Sequence, residues 1–173
     1  PRSTLDRSSA ASDVYKRQLS KRSNLPGLRS GFVAGDSNLL KQYFLYRTYH
    51  GCAMAGHAQE ISALAWSDES HVDENRDKYT EKFSVVEEIL KDHYKLYSPE
   101  GGFYHWIKTP MDDQQFAARL METHNVKVMP GSFLSREDNG EDPGLDHIRV
   151  AWVSEKEECI EAARRLVEFA RGL

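Results

Sequence analysis

One lysine, two arginines and three serines crowd the stretch Ser20-Lys21-Arg22-Ser23-Asn24-Leu25-Pro26-Gly27-Leu28-Arg29-Ser30-Gly31. A lysine desolvated or set among cations becomes a usable amine nucleophile toward a carbonyl. An arginine offers a planar, bidentate fork to a phosphate, and the hydroxyls of Ser20, Ser23 and Ser30 can add donors. Gly27 and Gly31 would let backbone approach a ligand closely. On composition alone the same stretch reads rather as an exposed basic loop. A second candidate is Arg149, in His147-Ile148-Arg149-Val150-Ala151. A lone arginine in an alternating strand is ordinarily a surface or ion-pairing residue, yet its fork is also suited to holding a carboxylate.

The elements that must position these residues can be read from patterning. Gly31 to Gly35 is a short apolar run between glycines and predicts a buried strand. Asp36 or Ser37 can cap a helix through about Tyr49, and a second helix is expected from about Ala53 to Trp66. Ser67 can cap a long third helix whose stripe is Val72, Tyr79, Phe83, Val86 and Leu90. Phe103 to Ile107, Val126 to Met129 and Ile148 to Val153 read as strands. Thr109-Pro110 is expected to open a helix with Pro at its first position. Residues 136–146 are acidic and contain Gly and Pro, which predicts an exposed loop. Ser154 with Glu157 forms a capping box for a last helix that buries Cys159, Ala162, Ala163, Leu166 and Ala170. Helices and strands mix without internal repeats, so the class is α/β or α+β.

Composition bounds the function classes. The 173 residues have 39% hydrophobic and 29% charged side chains and a mean hydropathy of -0.66. No apolar run approaches the roughly 20 residues of a membrane-spanning helix. Three Trp, eight Tyr and seven Phe are too many for a disordered chain. A net charge of -4 argues against a general nucleic-acid or anionic-membrane binder. Cys52 and Cys159 form neither a disulfide framework nor zinc spacing, which suits a cytoplasmic protein. His57, His71, His93, His105, His124 and His147 share no metal-ligand spacing, and His50 has no role assigned. Tyr43, Phe44, Tyr46 and Tyr49 read as core or subunit interface.

The first eighteen residues differ in character. Arg2, Arg7, Lys16 and Arg17 stand against Asp6 and Asp13, a net +2, so the remainder carries -6. The segment has no strand or helix period, and Ser8 to Gln18 resembles translated adaptor sequence from assembled environmental DNA. Residues 1–18 are therefore expected to be a non-native, disordered segment ahead of a truncated front.

The order Ser-Lys-x5-Gly-x-Arg-x-Gly, at Ser20, Lys21, Gly27, Arg29 and Gly31, resembles the cofactor-lysine motif of fold-type I pyridoxal-phosphate enzymes, and more closely that of class I and II aminotransferases. The wording of residues 20–36 is similar to the succinyldiaminopimelate aminotransferase branch. The resemblance continues through residues 48–54, 68–83, 101–106 and 128–133. It departs at Gln18, where the family usually has a phosphate-binding Ser.

The resemblance implies pyridoxal 5'-phosphate held covalently by Lys21, its phosphate bound by Arg29 with Ser20. It implies a substrate carboxylate clamped by Arg149, beside Gly101, Gly102 and Phe103. It implies transfer of an amino group between amino acids and 2-oxo acids, on the route to lysine and diaminopimelate, by a homodimeric parent. The domain reading that follows is 19–67 as the end of the large cofactor domain, 68–94 as a connecting helix and 95–173 as the small α+β C-terminal domain. The chain alone is then expected neither to fold fully nor to transaminate. Two other readings stand beside this one: an aminotransferase of aspartate, aromatic or acetylornithine type, and a phosphate- or nucleic-acid-binding module on Lys21, Arg22 and Arg29. The -6 body speaks against the second.

Overall fold

A computed structural model describes residues 14–173. In chain order the elements are β1 (Val14–Gln18), α1 (Leu19–Arg22), a 3-10 turn (Pro26–Leu28), β2 (Gly31–Gly35), α2 (Ser37–Tyr49), α3 (Gly56–Ser67) and α4 (Ser70–Leu90). They continue with β3 (Tyr104–Lys108), α5 (Asp113–His124), β4 (Met129–Pro130), a 3-10 turn (Gly131–Phe133), β5 (His147–Ala151) and α6 (Lys156–Arg171). The described residues divide inside α4 into two compact units, 14–74 and 75–173. The mixed helix-and-sheet class is the one expected.

In the first unit β1 pairs antiparallel with β2, from Val14 opposite Gly35 to Gln18 opposite Gly31. This corrects the expectation that residues 1–18 stand outside the fold. Residues 14–18 form a strand, and 1–13 lie outside the described residues. The strand left no hydrophobic period because it is held by its backbone ladder, with only Tyr15 half-buried. β2 is likewise mostly exposed, not the buried strand that its apolar run predicted. The buried residue beside it is Ser30, 3% exposed.

Helix starts follow local capping chemistry. The Asp36 side chain accepts from the Asn38 and Leu39 N–H groups, at 2.9 and 3.0 Å, and starts α2. Asp68, rather than Ser67, serves the start of α4: it accepts from the Ser70 N–H at 3.0 Å and the Ser70 hydroxyl at 2.6 Å. Those bonds, with His71 beside them, hold its carboxyl well below the usual range.

The second unit is organised by a three-stranded antiparallel sheet of order β3-β5-β4. Inward residues alternate along the strands: His105 and Ile107 from β3, Ile148 and Val150 from β5. They pack with Val86 and Leu90 of α4, Phe116 and Leu120 of α5, and Ala163, Leu166 and Phe169 of α6. The second half of α4 is thus a wall of this core. Tyr94 donates its hydroxyl to the Leu166 carbonyl at 3.0 Å, and burial pushes that phenol up to about 12.

Several expected boundaries shift, each for a local reason. Thr109-Pro110 does not open α5: the Thr109 hydroxyl donates to the Met111 carbonyl at 2.6 Å, and Asp112 caps the helix by accepting from the Gln115 N–H at 2.9 Å. The Ser154 box does not form, since α6 starts after Glu155 without a side-chain cap. Glu157 and Glu158 in its first turn complement the helix dipole instead. The Ser154 carbonyl accepts from the Lys82 ammonium at 2.5 Å and from the Cys159 thiol at 3.4 Å. The predicted strand from Val126 shrinks to β4, and the strand from Phe103 begins at Tyr104.

Candidate active site

The lysine stretch is a closed loop rather than an extended one. The Leu19 N–H donates to the Ser30 carbonyl at 3.1 Å, and the Leu25 N–H returns to the Leu19 carbonyl at 3.3 Å. The Leu19 side chain is fully buried and plugs the loop's base. Two short helical turns replace the irregular loop expected over residues 20–30, and Ser20 and Lys21 lie on the first of them. Arg29 follows the second in the left-handed region, with φ 51°. Its Nη1 donates to the Pro26 carbonyl at 2.8 Å while the side chain stays exposed.

Ser20 is half-buried and Lys21 is exposed, so the described residues do not desolvate the amine as expected. Nor does Arg22 serve as a free cation beside it. Its Nη1 donates to the Ala65 carbonyl at 2.7 Å, its Nη2 pairs with Glu69, and its guanidinium lies 4.7 Å from the Trp66 ring centroid. Arg22 therefore ties the loop to the end of α3. Ser30 and Ser62 bring their hydroxyls to 2.7 Å in a buried pair that also tethers α3. Leu19, Arg22 and Ser62 were missed as supports of the site because each acts through a residue distant in sequence. Gly31 is where close approach is required: a Cβ there would lie 2.6 Å from the Arg17 carbonyl oxygen.

The donor set fits pyridoxal phosphate. Lys21 offers a primary amine for the aldehyde, and Arg29, with Ser20, offers a fork and a hydroxyl for the phosphate.

The other expected site residues lie in the second unit. Arg149 sits on β5, in register with Trp106 of β3 and Met129 of β4. Its Nε is buried, with no hydrogen-bond partner among the described residues. Its guanidinium carbon lies 5.6 Å from the Tyr104 ring centroid. Gly102 takes φ +99°, a conformation for which glycine is favoured. Phe103 is half-buried, its ring edge-on to Tyr104 at 5.5 Å, and its carbonyl accepts from the Trp152 N–H at 2.9 Å.

Two turns support this sheet. Asp113 is 1% exposed and accepts from the Ser132 N–H at 2.9 Å and the Ser132 hydroxyl at 2.7 Å. Burial alone would raise this carboxyl, but the Ser132 bonds outweigh it and hold it below the ordinary value. Gly131 is buried against the Gly144 and His147 carbonyls and the Trp106 ring, so a Cβ has no room. Gly144 is buried too, so residues 136–146 are not wholly the solvated loop expected.

His105 has a structural place. Trp152 Nε1–H, which can only donate, lies 2.7 Å from His105 Nδ1. The proton of the neutral ring is therefore on Nε2, 2.9 Å from Glu87. The Ser98 hydroxyl donates to the same carboxylate at 2.6 Å. Ser98 and His105 thus each bond Glu87, an order different from a hydrolytic triad. Among the described residues no metal-binding cluster of His, Cys, Asp or Glu forms, and no helix is long and apolar enough to cross a membrane.

Known proteins are similar to this chain in sequence and fold. The family model for aminotransferase class I and II matches residues 3–166. A crystal structure of an aminotransferase from Neisseria meningitidis is 46% identical, with TM-score 0.86, over 91% of this chain and 40% of that one. A probable N-succinyldiaminopimelate aminotransferase from Thermus thermophilus is 29% identical, with TM-score 0.79, over 90% of this chain and 41% of that one. The 4-dedimethylamino-4-oxo-anhydrotetracycline transaminase OxyQ of Streptomyces rimosus is 30% identical over 149 residues, 86% of this chain and 40% of that protein. The chain thus spans about two fifths of the length of the curated relatives it matches. With the lysine loop closed as described and a family model running through nearly all of it, the chain belongs to the class I and II aminotransferases.

Proposed function

We propose that this chain supplies the lysine, phosphate and carboxylate contacts of a pyridoxal-phosphate-dependent aminotransferase. The observation that carries the reading is the closed loop that sets Lys21 on one short helical turn and Arg29 directly after the next, in a chain of this family. The substrate pair we infer is N-succinyldiaminopimelate and 2-oxoglutarate, on the wording of residues 20–36 and the resemblance to the Thermus protein. The parent acts in the cytoplasm as a homodimer. An exposed, unpaired Cys52 is compatible with a reducing compartment.

The division of labour follows from side-chain chemistry. Arg29 and Ser20 bind the phosphate and fix the cofactor's position. Lys21 Nζ would hold the cofactor at rest; once the substrate's amine displaces it, the freed Lys21 amine would take the proton from the substrate Cα as base and hand it on as acid to the carbon that receives it. Arg149 grips the substrate carboxylate with its fork, which orients the Cα–H bond for that transfer. Pyridoxal phosphate, when bound, supplies the electron sink that makes the Cα proton removable. Glycine at 102 keeps the approach to this side open, and Phe103 packs beside it.

Borohydride reduction of the full-length enzyme carrying this segment tests the reading. Peptide mapping should find the phosphopyridoxyl label on Lys21; a label on another lysine, or none, overturns it. Rates with N-succinyldiaminopimelate against aspartate, aromatic and acetylornithine donors separate the substrate classes. The OxyQ resemblance supports the rival reading of another aminotransferase in this family. The 173-residue chain alone should neither retain cofactor absorbance nor turn over.

A further inference from the structure

The face of the β3-β5-β4 sheet turned away from the core carries a contact that the motif does not contain. Strand alternation turns His105, Ile107, Ile148 and Val150 into the core, at 0–4% exposure. Tyr104, Trp106 and Arg149 therefore share the opposite face. Arg149 is directly opposite Trp106, and Tyr104 stands diagonal to it, opposite Ala151. The Tyr104 ring is the aromatic surface set against the guanidinium, 5.6 Å from centroid to Cζ. Arg149 Nε is buried and has no acceptor among the described residues. An arginine on a long flexible stem, with its inner N–H unpaired, needs something else to hold its plane. A guanidinium is weakly hydrated and stacks on aromatic faces, so a ring can do this without consuming any of its N–H donors.

We propose that Tyr104 is a positioning residue for Arg149: with Nε buried, its ring holds the guanidinium in place so that the outer Nη–H donors meet a planar carboxylate together. The proposal rests on the reading of Arg149 as a carboxylate clamp and adds the group that orients it. Position 104 needs an aromatic face rather than the phenol oxygen. An acidic partner for Arg149 would have consumed the same fork, whereas the ring leaves the donors for the ligand.

The test uses the full-length enzyme carrying this segment, labelled with 15N on arginine, glutarate as the carboxylate probe, and the side-chain Nε–H signal of Arg149, assigned by its loss in Arg149→Lys. Tyr104 is 39% exposed and lies outside the core cluster, so its replacement leaves the core in place. In the parent chain and in Tyr104→Phe the Nε–H should be ordered and should shift on adding glutarate, with affinities within about twofold. In Tyr104→Leu the Nε–H should become mobile, and glutarate affinity should fall about 2–5-fold, the range of an exposed cation–aromatic contact. Unchanged order and affinity in Tyr104→Leu would overturn the positioning role and leave the clamp reading intact. Order lost in Tyr104→Leu, with no shift on glutarate in any variant, would overturn the clamp reading and support the positioning role.

Discussion

The two units of this chain differ in what they bury. Residues 75–173 enclose a continuous core from α4, the sheet, α5 and α6. Residues 14–74 bury few side chains, among them Leu19, Ala58 and Val72, with Ser23, Ser30 and Ser62. The first unit instead exposes Phe44 at 77%, Tyr49 at 79% and Leu64 at 72%. Both units have well-formed helices, so helix formation alone does not make a core. What separates them is whether an element's apolar face meets another element. α6 has Leu166 and Phe169 on one side and charges on the other, and it closes on the sheet. The aromatics of α2 point in several directions, and none of its residues is buried.

The comparison breaks most visibly in the second core. Leu166→Ala should cost about 2–5 kcal/mol, the range for truncating a fully buried leucine. Urea unfolding followed by far-ultraviolet circular dichroism and tryptophan fluorescence would measure it. A cost below about 1 kcal/mol would show that this core is looser than its burial implies. Gly131→Ala should follow at about 1–3 kcal/mol, because its Cβ meets backbone that cannot rotate away.

Asp113→Asn should cost about 1–3 kcal/mol by weakening a buried acceptor of two Ser132 donors. The sign with pH follows from its lowered folded value. The stabilisation is complete above the unfolded carboxyl pKa of about 4 and is lost as pH falls through the folded value. Stability measured from about pH 5 to about pH 2 should therefore fall less steeply in Asp113→Asn. An identical slope would remove this carboxylate from the account.

The smallest effect belongs to the first unit. Phe44→Ser should stay within about 0.5 kcal/mol, since the ring is already in water. Amide exchange should rank the same way, with α2 exchanging well before α5 and α6. Equal protection across both units would erase the contrast.

Much of the candidate site could be read before any coordinates. Lys21, Arg29 and Arg149 stand in order and spacing, and both depend on covalent chain distance. The start of α2 at Asp36 and the stripe of α6 were equally legible, because capping and amphipathicity are local. Other features were not. β1 was set aside since it has no buried face, and only the ladder to β2 reveals it. Ser154 looked like a cap, but its carbonyl is used by Lys82, which stands 72 positions away. His105 showed only an absence of metal-ligand spacing, and Trp152, 47 positions away, specified its proton.

The amino-acid sequence by itself determined the family, the amine and the two guanidinium groups that are candidates for the site, and the helices whose caps lie within one turn. Tertiary structure alone decided that Leu19 closes the lysine loop onto Ser30, that Arg22 is a strut rather than a ligand, and that Tyr104 lies under Arg149. The reason is physical. Residue type sets which chemistry is available, whereas strand register and loop closure set which groups face each other, and both depend on backbone pairing between segments far apart in the chain.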